Sequence, residues 1–161
     1  KATGEVLGVG KEFGTALNKA YAAAGVEINN KEKGIFVTLS DSEKPNFIKT
    51  VNKYLELGFT LYSTEGTGKF LKTNGIDSVI VGKADDLGQT SLTIIEDKLV
   101  SLVINTPTYA NELSDGWKIR RLSHETGVAV VSSVREADAF IEAFLNQNLV
   151  LDDLEVIQDV S

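Results

Sequence analysis

The sequence predicts a three-layer α/β/α domain of the doubly wound, Rossmann-like kind, built around a mainly parallel five-stranded sheet. Three observations carry that expectation. Short runs rich in Val, Ile and Leu recur between residues 35 and 131. Stretches with apolar side chains at helical spacing lie between them. The runs are almost wholly apolar where a half-buried strand would alternate, as strands covered on both faces of a parallel sheet do.

Residues 35–39 read as the first strand, from their β-forming side chains. Residues 42–57 follow as a helix with Phe47, Ile48, Val51, Tyr54 and Leu55 on one face and Gly58 as its stop. A second strand over 59–62, a short helix over 67–73 and a third strand over 78–81 come next. A short helix around 90–96 precedes the fourth and most apolar strand, 100–104. Residues 116–125 read as a helix capped by Asp115 and ended by Gly127. The fifth strand spans 128–131, and a last helix, 136–145, turns Phe140, Ile141 and Phe144 inward. The tail, 149–161, is expected to add an edge strand or cover a helix.

Residues 1–30 look different. A glycine-rich start precedes a helical stripe of Phe13, Leu17, Ala20, Tyr21 and Ala24, and the polar break at 29–34 marks the expected boundary. The reading is therefore a connecting segment over 1–30 and the main domain over 31–161, cut from a longer chain that does not begin at Lys1.

Composition narrows the chemistry. The 161 residues are 42% hydrophobic and 24% charged, which is ordinary for one globular domain. With no cysteine and a single histidine, His124, thiolate nucleophiles, sulfur-based zinc sites and multi-histidine metal sites are excluded. A formal net charge of −7 argues against a general nucleic-acid binder, since phosphate backbones are held by excess Lys and Arg. No apolar run reaches the roughly 20 residues of a membrane helix.

Ligands of doubly wound sheets bind outside the carboxyl ends of the strands. The second strand ends in Ser63-Thr64-Glu65-Gly66-Thr67-Gly68 and runs directly into a helix. Glycines there admit an anion, and hydroxyls and free N–H groups can donate to it. The GK[ST] ending of a P-loop is absent. The same residues also suit a tight strand-to-helix turn with Thr67 as N-cap. Lys44 follows the first strand, at the positive end of a helix, where a cation is out of place unless it meets an anion. Lys83 follows the third strand, and Asn105-Thr106-Pro107-Thr108 ends the fourth. Lys44, Thr64, Thr67, Lys83 and Asn105 at four consecutive strand ends predict a phosphate pocket. Asp85-Asp86 and His124 suit a solvated turn and a helix end better than acid–base chemistry, and no nucleophile elbow is present.

These residues also carry a family resemblance. The segment Lys1-Ala2-Thr3-Gly4-Glu5-Val6-Leu7-Gly8 resembles the stretch leaving the second ATP-grasp half of carbamoyl phosphate synthase large subunits. The Lys44 position, Ser63–Thr67, Lys83, Ile104-Asn105-Thr106 and Ile119-Arg120-Arg121 resemble the methylglyoxal synthase-like domain that ends those chains. The resemblance implies a regulatory domain binding a nucleotide effector, chiefly uridine monophosphate (UMP), with inosine monophosphate or phosphoribosyl pyrophosphate in some members. It implies effector-phosphate roles for Lys44, Thr64, Gly66, Thr67, Lys83, Asn105 and Thr106, with Thr108 and Arg120 as further candidates, and neither catalytic residues nor metal ligands in the domain. The parent would be a cytoplasmic ligase using ATP with Mg2+ or Mn2+ in its other parts. It would pair with a small glutaminase subunit and serve pyrimidine or arginine synthesis.

Two departures stand out. Pro107 occupies a place where some members have a threonine, and the Tyr-x-Thr of ornithine-activated members falls near Val130 and Ser132, so ornithine is not expected as an effector. Two other readings remain. A methylglyoxal synthase acting on dihydroxyacetone phosphate would share the pocket, with Asp85 or Asp86 as its aspartate, but the stretch directly after Ile104 holds no histidine. A structural or subunit-contact domain with a vestigial pocket would need no ligand.

Overall fold

In the central strand β1, Gly34–Thr38, side chains point alternately to two apolar layers: Ile35 and Val37 join one buried cluster and Phe36 the other. The computed structural model describes residues 34–106 and 114–146. The expectations for 1–30, Pro107, Thr108 and the tail lie outside these. The other strands are β2 (Leu61–Ser63), β3 (Val79–Ile80), β4 (Val100–Asn105) and β5 (Ala129–Val131). Every pairing is parallel, in the order β3-β2-β1-β4-β5. The helices are α1 (Lys44–Glu56), α2 (Glu65–Thr73), α3 (Ser91–Glu96), α4 (Asp115–Thr126) and α5, residues 134–146.

Burial on both faces explains the mainly apolar strands. On one side, Phe47, Val51 and Tyr54 of α1 and Phe140, Ile141 and Phe144 of α5 cover Ile35, Val37, Leu102 and Ile104. On the other, Ile94 and Ile95 of α3 and Ile119 of α4 cover Phe36, Val103 and Val130. This is the predicted three-layer α/β/α fold with an all-parallel five-stranded sheet.

Element ends differ from the sequence reading for local reasons. Helix α4 is capped by Ser114, whose extended backbone (φ −76°, ψ 148°) lets its Oγ accept the Trp117 N–H. Asp115 lies inside the first turn, where a carboxylate favours the helix dipole. Helix α2 starts at Glu65 after an extended Thr64, so Thr67 is no cap. Helix α5 begins two residues earlier than expected. There Ser133 Oγ accepts the Glu136 N–H, while the Glu136 carboxylate accepts the N–H of Ser132, one residue before that cap. Strand β3 shrinks to two residues because it is an edge, with Val79 and Ile80 exposed.

A polar seam locks α1 to α5 inside the apolar layer. The Tyr54 hydroxyl donates to the Ala137 carbonyl at 2.7 Å, and Thr50 Oγ1 and Lys53 Nζ both donate to Asp138 Oδ1, at 3.0 and 2.7 Å. Complete burial, reinforced by the charge of Asp138, pushes the Tyr54 phenol well above its ordinary pKa and keeps it a donor. Tyr54→Phe is expected to lower unfolding stability by about 1 kcal/mol, the net contribution of one buried hydrogen bond. The measurement is a urea titration, with a lower midpoint at unchanged slope.

Candidate functional site

Doubly wound sheets open a crevice where the strand order reverses. Here β1, β2 and β3 step to one edge, and the chain then returns to the far side of β1 for β4 and β5. The reversal falls between β1 and β4, whose last register partners are Thr38 and Asn105. A cleft of about 670 Å³ opens at this point, with Thr38, Thr64, Gly66, Lys83 and Asn105 along its polar wall. Ile80, Val81 and Ile119 supply an apolar wall. The volume falls within the roughly 300–1,000 Å³ of small-molecule sites.

Each polar-wall residue is delivered by its element's end. Thr64 precedes α2, and its side chain caps nothing; its hydroxyl lies 3.4 Å from that of Thr38. Gly66 follows in the first turn of α2, where an added Cβ would meet nothing within 4 Å. Beyond β3, Gly82 bridges to Thr90, and Asp86 Oδ2 accepts the Lys83 backbone N–H at 2.9 Å. Lys83 is thus held by its backbone while its exposed ammonium joins no ion pair among the described residues. Asn105, only 4% exposed, ends β4, and its Oδ1 accepts from Arg120 Nη1 at 2.6 Å.

Three of the predicted contacts lie elsewhere. Thr67 is buried beneath the cleft, where its Oγ1 accepts the Leu39 N–H at 3.0 Å. Thr106 is likewise buried, and its Oγ1 accepts the Ser40 N–H at 2.7 Å. These two hydroxyls therefore hold consecutive peptide groups of the β1–α1 loop and shape the cleft from behind. Lys44 does not line the cleft. Its Nζ binds Asp41 Oδ1 at 2.6 Å, and that hydrogen bond and charge lower the pKa of the Asp41 carboxyl. Thr108 lies outside the described residues. Arg120 stands behind Asn105 and does not itself line the cleft.

The sequence reading missed Thr38, Ser91, Asp115 and Gly116, which also line it. Thr38 carried a signal, as a hydroxyl near the carboxyl end of the first strand. Ser91 carried none; it is 1% exposed, and its Oγ has no hydrogen-bond partner. Carboxylates share the rim with the lysines. Glu65 pairs with Lys69 at 3.4 Å, and Asp115 Oδ2 accepts the Ala84 N–H at 3.4 Å. The cleft thus offers one donor-rich end for an anion, carboxylates suited to accept hydroxyl hydrogens, and an apolar wall. Among the described residues no cluster of His, Cys, Asp and Glu could hold a metal ion. Asp85, the other carboxylate considered for catalysis, lies 3.4 Å from Lys118 Nζ.

The chain is thus an all-parallel α/β domain with a cleft at its switch point. Residues 46–132 match the family model described as "MGS-like domain", and this chain belongs to that family. Curated relatives are named "Carbamoyl phosphate synthase large chain". That of Lachnoclostridium phytofermentans is 37% identical over 147 residues, covering 91% of this chain and 14% of the relative. That of Kocuria rhizophila is 35% identical over 163 residues, covering 99% of this chain and 15% of the relative. The Aquifex aeolicus protein, "Carbamoyl phosphate synthase large chain, C-terminal section", is 38% identical over 144 residues, covering 89% of this chain and 26% of the relative. The chain therefore spans about a seventh to a quarter of these relatives.

Gly66 tests the cleft without touching a charged group. In an exposed helical turn, glycine costs about 1 kcal/mol relative to alanine, and no neighbour requires it here. Gly66→Ala is expected to raise the melting temperature while weakening any phosphate ligand, because the new methyl fills the approach to the α2 backbone. Thermal denaturation with and without nucleotide measures both.

Proposed function

We propose that this chain is the effector-binding regulatory domain of a carbamoyl phosphate synthase large chain, and that the cleft at the β1–β4 reversal takes a nucleoside monophosphate. The observation that carries the proposal is the convergence of Thr64, Gly66, Lys83 and Asn105 on one cleft. Relatives of this chain bear the carbamoyl phosphate synthase name. The phosphate would lie at the polar end, with Lys83 neutralising charge and Thr64 and the Asn105 amide donating. Bare phosphate would gain nothing from Asp86 or Asp115, whereas a phosphorylated ribose would bring hydroxyls to those carboxylates. A flat base would suit Ile80, Val81 and Ile119.

UMP is the first candidate, with inosine monophosphate and phosphoribosyl pyrophosphate behind it. Thr67 and Thr106 support the site by holding the β1–α1 loop, and Lys44 would need to exchange Asp41 for the ligand to take part. In the full protein the domain would act on the ATP-using remainder of the large chain, which would bind Mg2+ or Mn2+, and through it on a small glutaminase subunit. That assembly would be cytoplasmic and make carbamoyl phosphate for pyrimidine or arginine synthesis.

Calorimetric titration with UMP, in buffer free of phosphate and sulfate, tests the proposal. Saturable binding is expected, and Lys83→Ala should weaken it by about 1.5–3 kcal/mol, the scale of a hydrogen bond to a charged group. No heat and no thermal shift with UMP, inosine monophosphate or phosphoribosyl pyrophosphate would contradict it.

A further inference from the structure

A carboxamide can turn either an acceptor or a pair of donors toward a ligand, and at Asn105 the neighbouring arginine removes that choice. Arg120 Nη1 donates to Asn105 Oδ1 at 2.6 Å. A guanidinium carries five N–H donors and no acceptor, so the amide atom that faces it must be oxygen. Turning the amide over would set Nδ2 against Nη1, donor against donor, at a residue only 4% exposed. Because Asn105 lines the cleft and its oxygen faces Arg120, the NH2 group is the part of the amide turned away from the guanidinium and open to a ligand.

Helix α4 is shaped around this contact. Gly116 and Arg120 lie one turn apart on the same helix face. A Cβ at Gly116 would come within 3.3 Å of Arg120 Nη1 and 3.4 and 3.6 Å of Asn105 Oδ1 and Nδ2. The contact with Arg120 Nη1 is tight and the other two are ordinary van der Waals distances, so the missing side chain leaves the guanidinium room against the first turn. The adjacent Arg121 is occupied elsewhere: its Nε donates to Glu125 at 3.0 Å, and its guanidinium lies 5.3 Å from the Trp117 ring centre. Of the two neighbouring arginines, Arg120 alone is placed to act on the cleft, and it does so from behind Asn105.

We infer that Arg120 is a positioning residue that fixes the Asn105 amide with its NH2 group toward the cleft. The inference rests on reading the cleft as a phosphate pocket. It makes Asn105 a donor at this point of the wall, which favours a fully ionised phosphate monoester, able only to accept, over a ligand group that must donate a hydrogen bond to the same side chain. Sequence analysis treated Arg120 as a candidate phosphate ligand; in the inferred role it confers selectivity without touching the phosphate.

The test is a double-mutant cycle on the 161-residue chain, with UMP as probe in phosphate-free buffer. Arg120→Met is expected to weaken UMP binding about tenfold, the effect of losing one well-oriented donor to a charged group. Arg120→Lys, which still donates, should restore part of it. In an Asn105→Ala background, Arg120→Met should change affinity by less than about twofold, because a positioning residue has nothing left to position. The side-chain NH2 resonances of Asn105 should shift on UMP addition in the wild type and not in Arg120→Met. Equal UMP affinity in Arg120→Met, or an undiminished loss in the Asn105→Ala background, would overturn the inference while leaving the pocket intact. A wild-type chain that binds none of UMP, inosine monophosphate and phosphoribosyl pyrophosphate would overturn the pocket reading and this inference with it. Should Arg120→Met fail to fold, Arg120→Gln carries the same comparison, since its amide offers both donor and acceptor and leaves the Asn105 orientation open.

Discussion

The register between β1 and β4 is the constraint on which the rest of the site depends. Both strands are covered by helices on each face, so their side chains are committed to two apolar clusters. Slipping either strand by one residue would exchange its two faces and unpack both layers. With that register set, Thr38 and Asn105 must end side by side at the reversal of strand order. The loops leaving β2 and β3 then bring Thr64 and Lys83 to the same opening. The cleft is a consequence of how the sheet is buried and needs no separate folding element.

Hydrogen bonds to the loop backbones refine what the sheet sets out. Thr67 and Thr106 hold the N–H groups of Leu39 and Ser40, one from α2 and one from the end of β4. Further along, the Glu43 carboxylate accepts from the Val134 N–H at the start of α5, 3.4 Å away. The β1–α1 loop is therefore tied to the cleft at one end and to the N-terminus of α5 at the other. In the proposed regulatory role a change at the ligand would have to reach another surface, and a chain of packed, hydrogen-bonded groups is one physical route for it. The loop is a contiguous chain of this kind. Two features of the cleft run against stability: the unpartnered Ser91 hydroxyl and the helical Gly66. Local choices that cost folding free energy cluster where function competes with it.

The fold was largely legible because its strongest signal, the mainly apolar strands of 100–104 and 35–39, comes from burial on both faces. The edge was less so. Strand β3 has only two residues, and Val79 and Ile80 are exposed, so the apolar pattern overstated its length. Adjacent residues of similar capping strength defeated local reading at α4, where Ser114 and not Asp115 has the extended backbone a cap requires. At the site, Thr64, Gly66, Lys83 and Asn105 could be read from strand ends alone. Thr67, Thr106 and Arg120 could not be distinguished from cleft-lining residues, because a residue one layer behind the lining has the same sequence spacing as one that belongs to it. Lys44 had a local partner, Asp41 three residues earlier, that the anion argument did not weigh. Ser91 is placed entirely by packing of α3 and leaves no trace in the pattern.

The central claim is that the reversal between β1 and β4 receives the phosphate of a nucleoside monophosphate. A crystal structure of the chain grown with UMP tests it most directly. The account predicts the phosphate within hydrogen-bonding reach of Thr64, Lys83 and the Asn105 amide nitrogen, with the ribose toward Asp86 and Asp115 and the base against Val81 and Ile119. A nucleotide bound away from this cleft, or seated in it with the phosphate against the apolar wall, would contradict the account.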